Sequence, residues 1–424
     1  MIYFLGIVVF VAVLVVSVAW HELGHFIPAK LFGVKVPQFM VGFGPTLFSR
    51  KRGETEYGIK WLLLGGYIRM AAMYRPDASP KAATTGWRAR LADEARAVSR
   101  EELAEMGPDS HGRGFFTLSA PRKAVVMLGG PTMNLILALV LLGVVGSGIG
   151  AYQTSTTVEQ VAACYDSAGD WSDACGAATT PGPAAQAGVL PGDTVISWND
   201  QAIGEWSDLG PAIAESGTAP GVLGVRRADQ TVLLEVTPVV FGQGDRAHPV
   251  IGVSAAYELA KQPITQAPEE LASVVGASAK VYVSLPVRVW QTLTDMIEGN
   301  ERDINSPLSM VGVARVSGDM GQISGGDGVD PWRIRWAMWL QLGAMVNIAL
   351  WMFNMLPLLP LDGGHVVNAI FEGSRRTLAR WRGQPDPGPA DSARLMPISY
   401  GVVGLLILMT LVLVTADIIN PIQL

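Results

Sequence analysis

The sequence carries little charge for its length. Only 16% of its 424 residues are Asp, Glu, Lys or Arg, whereas 49% are hydrophobic. A soluble chain has about one charged residue in four, so the composition favours a membrane protein. The net charge is a modest −6 and the basic residues form no stripe, which argues against a nucleic-acid partner.

Cysteine is also scarce. The chain has two, Cys164 and Cys175, and both lie in the long connection between the second and third apolar segments. Two cysteines fix no disulfide framework by themselves. A disulfide that closes a short loop is one interpretation, and a pair of unlinked thiols is the other.

Four apolar stretches are long enough to cross a hydrocarbon core of about 30 Å, which takes about 20 helical residues. They are residues 2–20, 125–151, 334–356 and 396–416. The first lacks a basic leader region and a small-residue cleavage site, so we predict a retained anchor. Lys and Arg cluster near the ends of the first and third connections, which the positive-inside rule assigns to the cytoplasm. The second connection and both termini then face outward.

The connections predict smaller structures. Residues 36–73 alternate apolar and polar side chains around glycines, which is typical of a small membrane-associated sheet. Residues 74–113 predict a solvated helical insert.

Residues 184–200 read AAQAGVLPGDTVISWND and resemble the most recognisable segment of PDZ domains, which capture extended peptides by strand addition. Another β-rich domain is the alternative. Residues 256–331 predict helices on a membrane surface or packed against the neighbouring domain.

We therefore predict a polytopic α-helical membrane protein with four transmembrane helices, a membrane-associated β-hairpin region and an inserted extracytoplasmic PDZ-like α+β domain. The predicted segments are 1–73, 74–123, 124–152, 153–255, 256–333, 334–373, 374–395 and 396–424.

The strongest chemical signal follows the first apolar stretch, where residues 21–25 read His-Glu-Leu-Gly-His. On a helix, positions four apart share one face, so His21 and His25 can bind one metal ion. Glu22 is rotated by about 100° from His21 and can approach a water molecule on that ion. An ionisable trio at the end of a membrane span is costly unless it is partnered or lines a wet cavity.

A third ligand must come from elsewhere, because catalytic zinc takes about three protein ligands and keeps one position open. Residues 354–365 read NMLPLLPLDGGH, and its two prolines cannot continue a regular helix. Irregular backbone at membrane depth is tolerated where it is buried in protein or lines a cavity. Asp362 lies in this break, and His365 is the rival ligand.

Three motifs together resemble the site-2 protease family, most closely its bacterial RseP-like branch with an extracytoplasmic PDZ domain: H-E-x-x-H, Gly130-Pro131-Thr132-Met133-Asn134, and N-x-x-P-x-x-P-L-D-G-G. The resemblance covers nearly the whole chain, although one PDZ signature is found where well-known relatives carry two. It implies an intramembrane protease.

The resemblance also implies site residues. It assigns Zn²⁺ to His21, His25 and Asp362, the general base to Glu22, and substrate contact to Asn354, with a reentrant hairpin near Gly65 and Gly66. We add Asn134 to the candidate substrate contacts. The alternatives are hydrogen bonding between helices for the two asparagines and a simple tight turn for the two glycines.

The expected substrates are single-span membrane proteins within the lipid bilayer, such as trimmed anti-sigma factors or signal-peptide remnants. Two other functions fit parts of the pattern. One is a different multispan H-E-x-x-H peptidase with a downstream Glu as third ligand. The other is a non-enzymatic PDZ adaptor with structural zinc, which would need a closed site of about four protein ligands.

Overall fold

The computed structural model describes residues 1–76, 86–105, 107, 112–165, 171–172, 175–176, 179–241, 248–299, 302, 306–323 and 330–421. The chain forms two compact units. The first, here called the helical unit, comprises Met1–Gly148, Pro263–Ser324 and Arg335–Leu424. The second, the sheet unit, comprises Ile149–Gln262 and Gly325–Ile334.

The helical unit contains helices and one pair of long strands. They are α1 (Ile2–Leu31), β1 (Gln38–Arg52), β2 (Thr55–Arg69), α2 (Trp87–Glu105), α3 (Ala120–Gly143), α6 (Ala267–Glu298), α7 (Met310–Met320), α8 (Pro331–Asn354), α9 (Asp362–Trp381) and α10 (Met396–Ile419). Within the described residues, four helices are long and apolar enough to cross a membrane: Ile2–Leu31, Ala120–Ile149, Pro331–Asn354 and Ser392–Ile419. Each of the four predicted apolar segments lies largely within one of them.

Polar contacts inside the apolar helices connect α1 with α8. The amide of Asn347 donates to the Ser17 hydroxyl at 2.8 Å, and both side chains are fully buried. A hydrogen bond of this kind pairs two polar groups between apolar helices, so it fixes the facing turns of the two helices.

The strands β1 and β2 pair into a strongly curled sheet. Residues 38–41 face residues 56–59 and also residues 66–69, so β2 folds around the start of β1. The tight turn of this hairpin lies at Gly53 and Glu54, between the strands. Gly65 and Gly66 lie inside β2 rather than in a turn, and Gly66 pairs with Val41.

Glu54 fastens the turn of the hairpin to the end of α1. Its carboxylate accepts two hydrogen bonds of 2.9 Å from Arg113 and forms an ion pair with Lys30. These hydrogen bonds, with Arg113 contributing most, lower the pKa of Glu54 to about 2. The hairpin is therefore held against the end of α1.

The third apolar helix ends at the predicted break. Helix α8 stops at Asn354, and α9 begins at Asp362 after the two prolines. This differs from the predicted division at 373/374, because α9 continues as one helix to Trp381. The continuation is stabilised by Glu372, which is fully buried and accepts a hydrogen bond of 2.8 Å from Lys123 on α3.

The sheet unit is built from short strands and two short helices. They are β3 (Ala151–Val161), β4 (Cys164–Tyr165), β5 (Trp171–Ser172), β6 (Thr180–Pro181), α4 (Pro183–Ala187), β7 (Thr194–Trp198), β8 (Gln201–Ala202), α5 (Trp206–Ser216), β9 (Gly221–Arg227), β10 (Gln230–Val236), β11 (Val239–Phe241), β12 (His248–Val250) and β13 (Val253–Ala260). The main sheet has the order β10-β9-β7-β3-β13, with β8 paired to β7.

The segment that resembles a PDZ domain folds as its sequence predicts. The small-residue run forms α4, and the alternating residues form β7. Asp193, in the turn before β7, is buried and accepts hydrogen bonds of 2.7 and 2.6 Å from Arg227. This guanidinium lowers the pKa of Asp193. In the same unit, a disulfide joins Cys164 to Cys175.

Candidate metal centre

His21 and His25 lie one turn apart on α1, and their rings meet edge to face with centroids 4.8 Å apart. Their Nε2 atoms are 3.1 Å apart. Oδ2 of Asp362, the first residue of α9, lies 3.3 Å from each of these nitrogens. The structure thus brings together two side chains of one helix and a carboxylate more than 300 positions away in the chain.

The triangle formed by these three atoms fits a tetrahedral metal ion. With bonds of about 2.0–2.2 Å, two ligands of tetrahedral zinc lie about 3.3–3.6 Å apart. The observed separations are 3.1 to 3.3 Å. Oδ2 of Asp362 is also shielded from solvent and receives no hydrogen bond from the described residues. A buried carboxylate oxygen without a donor is costly, and a cation bound between the three groups would satisfy it.

The ring of His25 is oriented by the backbone of α3. Its Nδ1 lies 2.8 Å from the carbonyl oxygen of Val126. A carbonyl only accepts, so Nδ1 carries the proton and Nε2 presents its lone pair to the metal position. Metal-binding histidines commonly have a partner of this kind on the second nitrogen. No sequence pattern identifies Val126, because the contact uses a main-chain oxygen.

The ring of His21 also has a partner on α3. The amide nitrogen of Asn134 lies 3.1 Å from Nδ1 of His21, and the Asn134 side chain is fully buried. Oδ1 of Asn134 has no hydrogen-bond partner among the described residues. If the amide is turned by about 180°, Oδ1 accepts the proton of Nδ1, which leaves Nε2 free for a metal.

Helices α1 and α3 cross closely beside the histidines. A Cβ atom on Gly24 would lie 2.3 Å from the carbonyl oxygen of Gly129, and one on Gly130 would lie 2.2 Å from Nε2 of His25. Trp20 adds a hydrogen bond of 2.9 Å to the carbonyl of Met133. Glycine at 130 is therefore a requirement of the site itself, because any side chain would occupy the space of the imidazole ring.

We predict that Gly130→Ala lowers the catalytic activity of this centre by at least about 10²-fold, because a displacement of a reacting group by about 1 Å has an effect of that size. Alanine also favours a helix by about 1 kcal/mol over glycine, so loss of the helix is not the cause. Zinc content and activity of the purified protein are the measurements.

Gly148→Ala is the matched control for this prediction, since a Cβ atom there meets nothing within 4 Å. It should keep both zinc and activity. Full activity in Gly130→Ala would mean that the ring of His25 does not need the position that it has in the structure.

Glu22 is buried beside the metal position, under the end of β2. The backbone of Ile68 lies close to its carboxylate. A Cβ atom on Gly66 would lie 3.1 Å from Cγ of Glu22 and 2.8 Å from Val18. The strand therefore approaches Glu22 as closely as a glycine permits.

The other predicted residues make contacts outside the group of three ligand atoms. Gly65 lies within β2 and packs against the ring of Phe43 on β1. Asn354 is half-buried at the end of α8, where its amide donates to the carbonyl of Leu350 at 3.0 Å. His365 is not in the group of three potential ligands, whose donor atoms all lie within 4.8 Å of one another.

Sequence reasoning missed Glu372 and Lys123, which connect the helix of Asp362 with the helix of Asn134 through a buried ion pair. One signal was present. Glu372 is an acidic residue on a helix whose neighbouring positions 366 and 369 are apolar and buried, and a buried acid needs a cationic partner.

The two histidines of the H-E-x-x-H helix meet a carboxylate from a broken helix, and a buried glutamate lies beside them. This arrangement defines a metalloprotease centre set among membrane-spanning helices. Comparison with known proteins agrees. The profile described as peptidase family M50 matches residues 9–384. The chain belongs to this family, as its site-2 protease motifs predicted.

Similar proteins carry matching names. Zinc metalloprotease Rip1 of Mycobacterium tuberculosis is 32% identical over 450 aligned residues, which cover 100% of both chains. Metalloprotease MmpA of Caulobacter vibrioides is 27% identical over 372 residues, covering 85% of this chain and 84% of its own. Regulator of sigma-W protease RasP of Bacillus subtilis is 24% identical over 418 residues, covering 87% and 90%. The chain is thus an intramembrane metalloprotease of the site-2 type, and the names agree with the predicted cofactor, Zn²⁺.

Proposed function

We propose that this protein binds one Zn²⁺ ion through His21, His25 and Asp362 and hydrolyses peptide bonds in the transmembrane segments of single-span proteins. The observation that carries this proposal is the convergence of the three ligand atoms, 3.1 to 3.3 Å apart, beside the buried Glu22. The described residues supply three ligands rather than the four of a closed structural site, which favours hydrolysis over the adaptor function.

Each group of the chain has a distinct part in the reaction. When bound, the zinc ion supplies Lewis-acid polarisation and lowers the pKa of a water molecule. Glu22 accepts the proton of the attacking water and then delivers it to the leaving amine. Asn134 holds His21 through Nδ1, so we assign it a positioning role in preference to substrate contact. Val126 does the same for His25 with its carbonyl.

The substrate must unwind before it is cut, because an intact helix keeps its carbonyls in hydrogen bonds and unpaired ones cost several kcal/mol in hydrocarbon. Residues 66–69 of β2 offer a strand edge with which the unwound substrate backbone can pair. Within the described chain they pair with residues 38–41 alone, so their other edge is open to an added strand. This edge reaches Glu22 through Ile68 and Gly66, and Asn354 is the proposed second contact for the unwound backbone.

The substrate class follows from the site and from one relative. RasP is named as a regulator of sigma-W. By analogy, we propose membrane-anchored regulators of sigma factors, already trimmed outside the membrane, as substrates; signal-peptide remnants have the same single-span architecture.

The orientation is also a proposal. We place the sheet unit outside the cytoplasmic membrane and the metal centre toward the cytoplasm. The Lys and Arg residues near the first and third connections support this, as does the disulfide between Cys164 and Cys175, since disulfides persist in oxidising compartments. After reduction, impermeant thiol reagents should label these cysteines from outside; labelling only after the membrane is opened would contradict the orientation.

The sheet unit is the proposed gate for trimmed substrates. Its main sheet ends in β13, whose outer edge offers the kind of strand-addition site that PDZ domains use. Such a domain can select a substrate by capturing a new C-terminus or by excluding a bulky untrimmed domain.

One assay tests the function and the gate together. The purified zinc-loaded enzyme, in lipid bilayers, is given a single-span substrate in full-length and trimmed forms, and mass spectrometry locates the cut. We expect a cut inside the span, faster by at least about tenfold for the trimmed form. Replacing residues 150–262 by a flexible linker should remove this preference; a deletion of 157–240 would cut through β3 and leave β13 without its partner.

The two results are independent. Cleavage only outside the span would contradict the proposed function. A preference for the trimmed form that survives the linker replacement would contradict the gate and leave the protease assignment intact.

A further inference from the structure

A cavity of about 690 Å³ lies beside α9, in the helical unit, and has no part in the mechanism above. Its lining residues on α9 are Gly364, Val367, Asn368, Phe371 and Arg375. With about 100° per residue, they form one stripe centred about 200° from Asp362. The cavity therefore occupies the face of α9 that points away from the metal position.

The charges around the cavity favour an anion. Arg75, Arg375 and Arg394 line it together with a single acid, Asp391, which leaves a surplus of two positive charges (three minus one). Asp391 is itself occupied, because its carboxylate accepts hydrogen bonds of 2.5 Å from Arg96 and 3.1 Å from Arg394. The nearby Asp386 is paired with Arg376 at 2.9 Å.

The hydrogen bonding of Arg375 is a second indication of a bound anion. One of its terminal nitrogens donates to the carbonyl of Gly388 at 2.7 Å, which fixes the side chain. Its Nε is shielded from solvent and has no hydrogen-bond partner among the described residues. A buried guanidinium nitrogen without an acceptor is costly, and an anionic oxygen would satisfy it.

The other wall of the cavity is apolar, and part of it lies at the start of a candidate membrane span. Phe371 and Ile398 are each 58% exposed, and Leu395 is 38% exposed. Leu395 and Ile398 lie at the start of the candidate span Ser392–Ile419. A soluble anion would leave these side chains uncovered, whereas a molecule with a phosphate group and hydrocarbon chains would cover both walls.

We propose that this cavity is a binding site for an anionic phospholipid, with the phosphodiester on the arginines and an acyl chain along Phe371, Leu395 and Ile398. The lipid holds α9 at the membrane surface from the side opposite Asp362.

The test uses the full-length zinc-loaded protein in neutral detergent. Phosphatidylglycerol or phosphatidylcholine is added, and native mass spectrometry measures the bound lipid. We expect phosphatidylglycerol to bind more tightly, and the double variant Arg75→Gln, Arg394→Gln to weaken it by about twenty-five-fold, since each surface arginine contributes about fivefold. Arg375 is kept because it also holds the loop through Gly388.

Arg380→Gln, Arg382→Gln is the matched control: it removes the same number of charges, at two exposed residues outside the cavity. It should bind phosphatidylglycerol like the unmodified protein. Equal binding of the two lipids, equal loss in the control, or undiminished binding in the double variant would each overturn the proposal. Displacement of the lipid by millimolar inorganic phosphate would do so too, because it would identify a site for free anions.

Discussion

Glu22→Gln should lower cleavage of a single-span substrate by at least about 10²–10⁴-fold, the usual contribution of a general base, while the protein keeps its zinc. Glutamine has nearly the same shape and retains a carbonyl oxygen, but it cannot take a proton from water. All three proposed ligands are unchanged. The measurements are zinc per protein chain by elemental analysis and the cleavage rate in lipid bilayers.

The control for Glu22→Gln is Glu94→Gln, the same chemical change at an exposed position on α2. It should leave both zinc content and rate unchanged. If Glu22→Gln retains activity within a few-fold of the unmodified enzyme, the proton is accepted elsewhere and the proposed mechanism is wrong.

Asp362→Ala should lose both zinc and activity, because it removes a ligand at the metal itself. Mutation of groups that only support ligands commonly lowers metal affinity by about 10–100-fold, so loss of the carboxylate should exceed this range. His21→Ala and His25→Ala should behave in the same way. The zinc content of each purified variant and its cleavage rate are to be compared at matched free zinc concentration.

His365→Ala provides the decisive contrast, since His365 lies three positions from Asp362 but outside the group of potential ligands. We expect it to retain stoichiometric zinc. Full zinc in Asp362→Ala together with loss in His365→Ala would falsify the ligand assignment.

Residues whose roles depend on local spacing were found from the sequence, whereas the role of Asn134 depends on a contact with a distant residue. His21, Glu22 and His25 were found from a five-residue spacing, because the helical period alone decides which of them share a face. The break before Asp362 was also predicted from the sequence, because proline cannot continue a regular helix in any surroundings. By contrast, Asn134 was interpreted as a candidate substrate contact, and the structure has it fully buried against His21.

The sequence by itself determined the four apolar helices, the short helix and the strand on either side of the Pro-Gly-Asp turn, and the pair of histidines on one face of α1. These features depend on periods and backbone restrictions that act within a few residues. Only the tertiary structure decided that Asp362 rather than His365 meets these histidines, that Val126 and Asn134 orient them, and that Lys123 holds Glu372. Those contacts join residues 101 to 249 positions apart along the chain, or farther, and they arise from how closely the helices pack. No local pattern records the distance between two helices.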